Sequence, residues 1–148
     1  MEFENLKKMA AALKVELLEA PVRSPRDFDG AFALMLRRRA DGLVALTDSM
    51  LVSNMRRLGE LSAAKRLPGA WSDEYADGGG LLAYGVNFPE LWHRAPYFVD
   101  RILKGGQPAT IPVEQATKFE LVVNLKTAKA LGLKIPNSIL VRADRVIE

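Results

Sequence analysis

The sequence predicts an α/β fold in which helices flank a mainly parallel sheet. Apolar runs of strand length alternate along the chain with amphipathic segments of ten or more residues. This alternation is typical of βαβ units, whose crossover helices place successive strands parallel to one another. The 148 residues can form one core of ordinary size, so we predict a single domain over residues 1–148.

The first half of the chain contains a well-marked helix start. Ser24 supplies a capping hydroxyl, Pro25 suits the first helical position, and Asp27 places an acid beside the exposed N–H groups. Apolar periodicity defines the remaining elements. The predictions are helices over 3–13, 24–39 and 50–66, strands over 15–22 and 42–46, and an extended segment over 68–71.

Asparagine caps organise the second half of the chain. Asn87 precedes a helix with Glu90 three residues later, and that helix ends before Gly105. Asn124 caps a shorter helix that ends at Gly132. The predictions are strands over 81–86 and 119–123, helices over 88–104 and 125–131, and a last helical segment over 136–147.

The composition excludes several classes of site. The chain has no cysteine and a single histidine, so thiolate and histidine metal clusters are excluded, and we predict no metal and no cofactor. Its net charge of +3 is spread along the chain among interleaved acids, which argues against nucleic acid as a partner. We found no nucleophile beside a base, so no catalytic residue is predicted and the chain is not expected to be an enzyme.

Polar side chains follow three of the predicted strands. Because parallel strands end at one edge of a sheet, these side chains are expected to share a ligand-binding crevice. They suit a small zwitterion, since Asp48 could accept from an ammonium group and hydroxyls could meet a carboxylate. Asp48 or Ser49 could instead only cap the next helix, and Tyr84 could pack in the core. The candidate ligand-binding residues are Thr47, Asp48, Ser49, Ser72, Asp73, Tyr84 and Asn87.

An ordered set of short motifs over residues 40–136 points to a family. TDS follows an apolar strand, a glycine-rich turn enters the strand LLAYG, ILKG is followed by PVE, and a strand leads through Asn124 into KTA. This collinear set resembles the C-terminal part of the ABC-transporter substrate-binding proteins related to tryptophan and tyrosine uptake. The earlier segments are compatible with that resemblance.

The resemblance implies a type I periplasmic-binding-protein fold, with two Rossmann-like lobes that close on a ligand. The chain would then be one Rossmann-like lobe plus crossing segments at about 81–118, with the N-terminal lobe absent. The implied function is the solute-binding component of an ABC transporter, with an amino acid or similar small zwitterion as ligand and an ABC permease as partner. The family is periplasmic, but this sequence has no signal peptide and would stay cytoplasmic as given.

The three glycines at 78–80 come before a strand rather than between a strand and a helix, which argues against a phosphate loop. The resemblance instead implies a turn near the cleft that allows close backbone approach and hinge torsions. It also implies that the 88–104 helix packs on the absent lobe. Its apolar stripe therefore predicts a homodimer through this helix. The alternative function is a dimeric interaction, sensory or vestigial module that no longer transports.

Overall fold

The computed structural model describes residues 2–46 and 48–148, and a five-stranded sheet forms its centre. The strands lie in chain order across the sheet, and β1 and β5 are its outer strands. All neighbouring pairs are parallel except β3 and β4, which are antiparallel. The predicted mainly parallel α/β sheet is therefore confirmed. The strands are β1 Leu43–Val44, β2 Gly69–Trp71, β3 Leu82–Val86, β4 Phe119–Asn124 and β5 Arg145–Ile147.

Helices connect the strands and flank the sheet. Two of the connections also contain a single 3-10 turn, at Pro25–Asp27 and Pro108–Thr110. The α-helices are α1 Glu2–Leu13, α2 Phe28–Arg37, α3 Ser49–Val52, α4 Met55–Ala64, α5 Asp73–Asp77, α6 Phe88–Leu103, α7 Leu125–Leu131 and α8 Asn137–Leu140. In the described part of the chain, none of these helices combines the length and the apolar character that crossing a membrane requires.

The predicted helix start at residues 24–27 is confirmed. The Asp27 carboxylate accepts hydrogen bonds from the backbone N–H groups of Arg23 at 2.9 Å and Ser24 at 2.8 Å. Both bonds favour the charged form of the carboxylate, so they hold the pKa of Asp27 below its usual value. The bond from the Arg23 N–H contributes most to this effect. The acid therefore connects the chain entering the 3-10 turn to the helix that follows.

Two segments differ from the prediction. Residues 15–22 form no strand, although their apolar residues alternate as in a strand. Val15 and Leu18 are exposed, and this segment pairs with none of the five strands. Residues 145–147 form β5 rather than helix. Asp144 explains the second difference, because its carboxylate accepts from the Leu121 N–H at 2.8 Å and its own N–H donates to the Leu121 carbonyl at 2.9 Å. These bonds align the end of the chain with β4 and override its local helical pattern.

The short helix α5 joins two core clusters. On one side, Tyr75 is fully buried among the side chains of α2 and α4. On the other, Ala76 packs with Ala83 and Val122 against the sheet. The Tyr75 hydroxyl donates to Ser62 Oγ at 2.7 Å, so its polar atom is satisfied, and burial raises the pKa of Tyr75. The position of α5 therefore sets how α4 sits relative to β3 and β4.

The glycines before β3 allow the backbones of α4 and α5 to touch. A Cβ on Gly78 would lie 2.3 Å from the Arg56 carbonyl oxygen, and one on Gly80 would lie 2.1 Å from the Tyr75 ring. Gly79 has a φ of 103°, which strongly favours glycine. The expected close approach is confirmed. Their expected position near the cleft stays a prediction. Because these glycines precede β3, they lie opposite the carboxyl ends of β1–β3.

Candidate functional site

The carboxyl ends of β1, β2 and β3 meet at one edge of the sheet. Because these three strands are parallel, the residues that follow them lie along the same edge. Asp48 follows β1, Ser72 follows β2, and Asn87 follows β3. Strand β4 runs in the opposite direction, so its first residues, Phe119 and Glu120, also lie at this edge. We refer to these five residues together with Tyr84 as the edge site.

Asp48 caps α3 while leaving one carboxylate oxygen available. Its Oδ1 accepts from the Met50 N–H at 2.9 Å and the Leu51 N–H at 3.3 Å. Among the described residues, no hydrogen bond reaches its Oδ2, and the residue is exposed. Capping and ligand binding are therefore geometrically compatible at Asp48. Ser49 is the first residue of α3, and Thr47 lies outside the described residues.

Ser72 begins a helix rather than the loop that the sequence suggested. It occupies the cap position of α5, and its hydroxyl donates to the Met55 sulfur at the start of α4. A Cβ on Gly85 would lie 3.7 Å from Ser72 Cβ, so β3 passes close to this hydroxyl. Asp73 is the first residue of α5, and its side chain lies outside the described part of the structure.

Tyr84 presents its ring to solvent. It is 62% exposed, so the alternative that it packs in the core is excluded. Its ring stacks on Phe119 with centroids 5.7 Å apart and planes 19° apart. Phe119 is itself exposed, and the two rings form a flat apolar surface on the face of the sheet opposite Glu120, because successive side chains of a strand alternate between faces. Trp71, by contrast, is half-buried against the core and meets Tyr75 edge-on.

Asn87 has a structural role at the edge site. Its Oδ1 accepts from the Glu90 N–H at 2.8 Å, which caps α6. Its Nδ2 donates to the Glu120 carboxylate, and its backbone N–H donates to the Lys118 carbonyl at 3.1 Å. The side chain therefore ties the start of α6 to the start of β4. A ligand that bound Asn87 would have to share or displace the bond to Glu120.

Phe119 and Glu120 are the residues that sequence reasoning missed. The strand over 119–123 was predicted, but its antiparallel direction was not, so its first residues were not considered for the site. The Gly85–Glu120 pairing places Glu120 directly beside β3. No local signal pointed to this reversal, because the connection between β3 and β4 contains the 16-residue helix α6 and is long enough for a parallel crossover.

A groove adjoins Asn87 along the first turns of α6. It has a volume of about 460 Å³ and is lined by Asn87, Pro89, Glu90, His93 and Arg94. Arg94 donates to Glu114 through two hydrogen bonds of 2.8 and 2.9 Å, and this contact holds the pKa of Glu114 below its usual value. The surface of the groove is mostly apolar, and paired charges border it.

The described residues of the edge site offer hydrogen-bonding, charged and aromatic groups. Among the described residues, no group of three or more acidic or histidine side chains could hold a metal ion. No hydrogen bond between described residues joins Asp48 to Ser72, Tyr84 or Asn87. Its carboxylates, hydroxyl and aromatic surface suit a small molecule with a positive group and an apolar portion.

Comparison with known proteins finds a family match over residues 1–147, to the family described as ABC transporter substrate binding protein. The chain is 24% identical over 135 residues to the tyrosine-binding protein of Clostridioides difficile, covering 90% of this chain and 39% of that protein. The family expected from the sequence is confirmed.

Solved structures show the same architecture. A conserved domain protein of Vibrio cholerae superimposes with a TM-score of 0.86 at 26% identity, covering 97% of this chain and 49% of that chain. A Streptococcus pneumoniae ABC domain in complex with L-Trp gives a TM-score of 0.84 at 24% identity, covering 99% of this chain and 51% of that chain. The chain thus spans about half the length of these solved structures.

Proposed function

The chain belongs to the ABC transporter substrate-binding protein family, whose members bind solutes rather than transform them, and we propose that its ligand is an amino acid with an aromatic side chain. The observation that carries the proposal is the exposed stacked pair of Tyr84 and Phe119 on β3 and β4. An aromatic ring gains contact area on such a surface. The names of the tyrosine-binding relative and of the L-Trp complex support the same chemistry.

Each part of an amino acid has a matching group at the edge site. The ammonium group is bound by Asp48 Oδ2. The ligand carboxylate is placed at the Ser72 hydroxyl, which would turn its single proton from the Met55 sulfur to the ligand, and the aromatic ring is placed on Tyr84. Thr47, Ser49, Asp73 and Asn87 complete the proposed contact set.

The biological role we propose is capture of this amino acid for an ABC permease, on the outer side of the cytoplasmic membrane. Since the chain spans about half of its solved relatives, we propose that residues 1–148 correspond to one lobe, with residues 81–118 crossing between lobes. The edge site would then form one wall of the cleft. This position is supported by the general rule that ligands bind outside the carboxyl ends of parallel strands.

Asp48→Asn tests the proposed ammonium contact. The amide retains the oxygen that caps α3 but removes the charge, so folding is preserved while affinity for L-tryptophan or L-tyrosine falls by about ten- to a hundredfold. Isothermal titration calorimetry measures the change. Asp41→Asn is the matched control, because Asp41 is an exposed acid before β1, at the opposite edge of the sheet. Unchanged affinity in Asp48→Asn would show that Asp48 does not bind the ligand. If the parent chain bound no amino acid, the proposed function would be wrong.

Tyr84→Ala tests the aromatic surface. We expect L-tryptophan affinity to fall by roughly three- to tenfold, the value of one aromatic contact. Tyr84→Phe retains the ring and is expected to bind like the parent chain. Equal affinity in the alanine and phenylalanine variants, measured by quenching of intrinsic fluorescence or by calorimetry, would place the ligand ring elsewhere.

A second candidate function is an interaction module that does not transport. The observation in its favour is α6, which buries none of its residues despite a strongly amphipathic sequence. Absence of amino acid binding together with stable self-association would favour this alternative over solute capture.

A further inference from the structure

Exposed cations gather at the edge of the sheet opposite the edge site. Helices α2 and α4 end at this edge, because each leads into a strand that starts there. Helix α7 begins at the same edge, because β4 runs in the opposite direction. The cations are dispersed along the sequence, so only the fold brings them together. We call this surface the basic edge; it comprises the exposed residues Arg37, Arg38, Arg39, Lys65, Arg66, Lys126 and Lys129.

The basic edge is one continuous surface. The Leu43 N–H donates to the Pro68 carbonyl at 2.9 Å, which joins the connection before β1 to the connection before β2. The turn that contains Arg39 therefore neighbours the turn that contains Arg66. Arg66 and Lys126 in turn line the same cavity, which has a volume of about 240 Å³ and lies between α4 and α7.

The charge of the basic edge is not neutralised by the described part of the chain. None of its cations makes a salt bridge to a described residue. The acids at or near this edge are Asp41, Glu60, Asp77 and Glu148, and Asp77 is paired with Arg145 at 2.7 Å. The cations therefore outnumber the acids, and their charge is available to a partner.

Two of these arginines occupy backbone positions that favour glycine. Arg39 has a φ of 56° and Arg66 a φ of 54°, in the left-handed region that is unfavourable for residues with a Cβ. A cation at the end of a helix opposes the helix dipole, but Arg37 already does so in the last turn of α2. Arginine at such positions is expected where its side chain has a use of its own.

The basic edge suits an extended anionic surface. Its cations come from three chain segments, whereas the cavity is lined by cations of only two, so a single small anion would leave most of them unused. Protein interfaces are centred on apolar or aromatic anchors. Within residues 36–41, 63–67 and 125–131, Leu36 is the one large apolar side chain that is exposed. Arginine and lysine bind the phosphate groups of lipids without such anchors.

We propose that the basic edge binds the anionic headgroups of a lipid membrane. The inference rests on the proposed function for location alone, since that function places the chain at the outer side of the cytoplasmic membrane. The edge site lies at the other end of the sheet, so membrane binding leaves it accessible to solute. A second lobe that closed over the edge site would likewise leave the basic edge uncovered.

Cosedimentation of the 148-residue chain with lipid vesicles tests the proposal. We expect binding to vesicles of equal parts phosphatidylglycerol and phosphatidylcholine at about 50 mM salt, and its loss at about 500 mM salt. Vesicles of phosphatidylcholine alone should not bind the chain. Absence of binding to the anionic vesicles at low salt would overturn the proposal. Binding to poly-L-glutamate without binding to vesicles would also overturn it and would assign the basic edge to an acidic protein.

The double variant Arg38→Glu with Lys126→Glu locates the binding surface. Its affinity for the anionic vesicles should fall at least about tenfold, since each cation near such a membrane contributes roughly fivefold. Arg26→Glu with Arg142→Glu is the matched control, because it makes the same charge change at exposed residues without salt bridges to the described chain, away from the basic edge. We expect it to bind within about twofold of the parent chain. Equal weakening in the two double variants would mean that net charge controls binding, which would overturn the proposal.

Arg39→Gly removes one cation at a position whose backbone glycine adopts readily. We expect vesicle affinity to fall roughly three- to fivefold without loss of unfolding free energy. Vesicle affinity equal to that of the parent chain would contradict a role for Arg39. Calorimetry with L-tryptophan on the same variants is expected to give unchanged affinity, so failure of membrane binding and failure of the proposed function are measured separately. Circular dichroism checks that each variant is folded.

Discussion

Gly59→Ala is expected to lower the free energy of unfolding by about 3 kcal/mol. Gly59 lies inside α4, where a Cβ would stand 2.3 Å from the Tyr75 carbonyl oxygen and 3.0 Å from the Gly78 carbonyl carbon. Both obstacles are backbone atoms, so no side-chain rotation can relieve the clash. The helices α4 and α5 would have to separate, which would disturb the packing of Tyr75.

Gly30→Ala provides the matched control. Gly30 is an exposed residue inside α2, and nothing lies within 4 Å of the position that its Cβ would take. The same substitution there should raise the free energy of unfolding by roughly 0.5 to 1 kcal/mol, because alanine is the better helix former. Urea unfolding followed by circular dichroism measures both variants. If both changes had the same sign, the close approach of α4 and α5 would not be the controlling contact.

Asn124→Ala is expected to lower the free energy of unfolding by about 2 kcal/mol, because it removes a helix cap and a buried hydrogen bond to the Ala76 carbonyl, which keeps the Gly79 N–H as its other donor. Asn124 is only 5% exposed. Its Oδ1 accepts from the Thr127 N–H at 3.0 Å, and its Nδ2 donates to the Ala76 carbonyl at 3.0 Å. Alanine would leave the α7 start uncapped and the carbonyl of the fully buried Ala76 without this donor.

Asn87→Ala separates the two contributions. Asn87 also caps a helix and also donates through its Nδ2, but its second partner is the Glu120 side chain at a partly exposed position. Its loss should cost about 1 kcal/mol, the usual value of a cap. Thermal and urea unfolding compare the two variants. Equal costs would mean that burial of the Ala76 carbonyl adds nothing to the contribution of Asn124.

Local signals were sufficient for the helix starts. Ser24 with Asp27, Asn87 and Asn124 were each predicted as starts, and each makes the expected contact with nearby backbone N–H groups. These contacts span three residues, so short stretches of sequence determine them. The same holds for the strand that ends at Trp71 and for the helix that ends before Gly105.

Strand partners and directions required the folded chain. The 15–22 segment has strand periodicity but no neighbouring strand. Arg145–Ile147 belongs to the segment predicted as helical but pairs with β4. Pairing depends on residues more than twenty positions away, such as Asp144 with Leu121. Single-segment patterns contain no information about such partners.

The candidate site divides in the same way. Asp48, Ser72 and Asn87 were found from sequence because each follows a strand that runs in the common direction. Phe119 and Glu120 were missed because β4 enters the sheet in the opposite direction. The exposure of Tyr84 could not be read from its sequence position either, since a tyrosine in a strand can face the core or solvent.

The sequence by itself determined the α/β class, the family, the principal helix starts and the residues that follow β1–β3, because these depend on periodicity, short-range capping and ordered motifs. Only the tertiary structure decided the antiparallel entry of β4, the strand at the chain end and the exposed Tyr84–Phe119 surface. Those features arise from long-range pairing and from what each surface packs against, and neither is encoded within one segment.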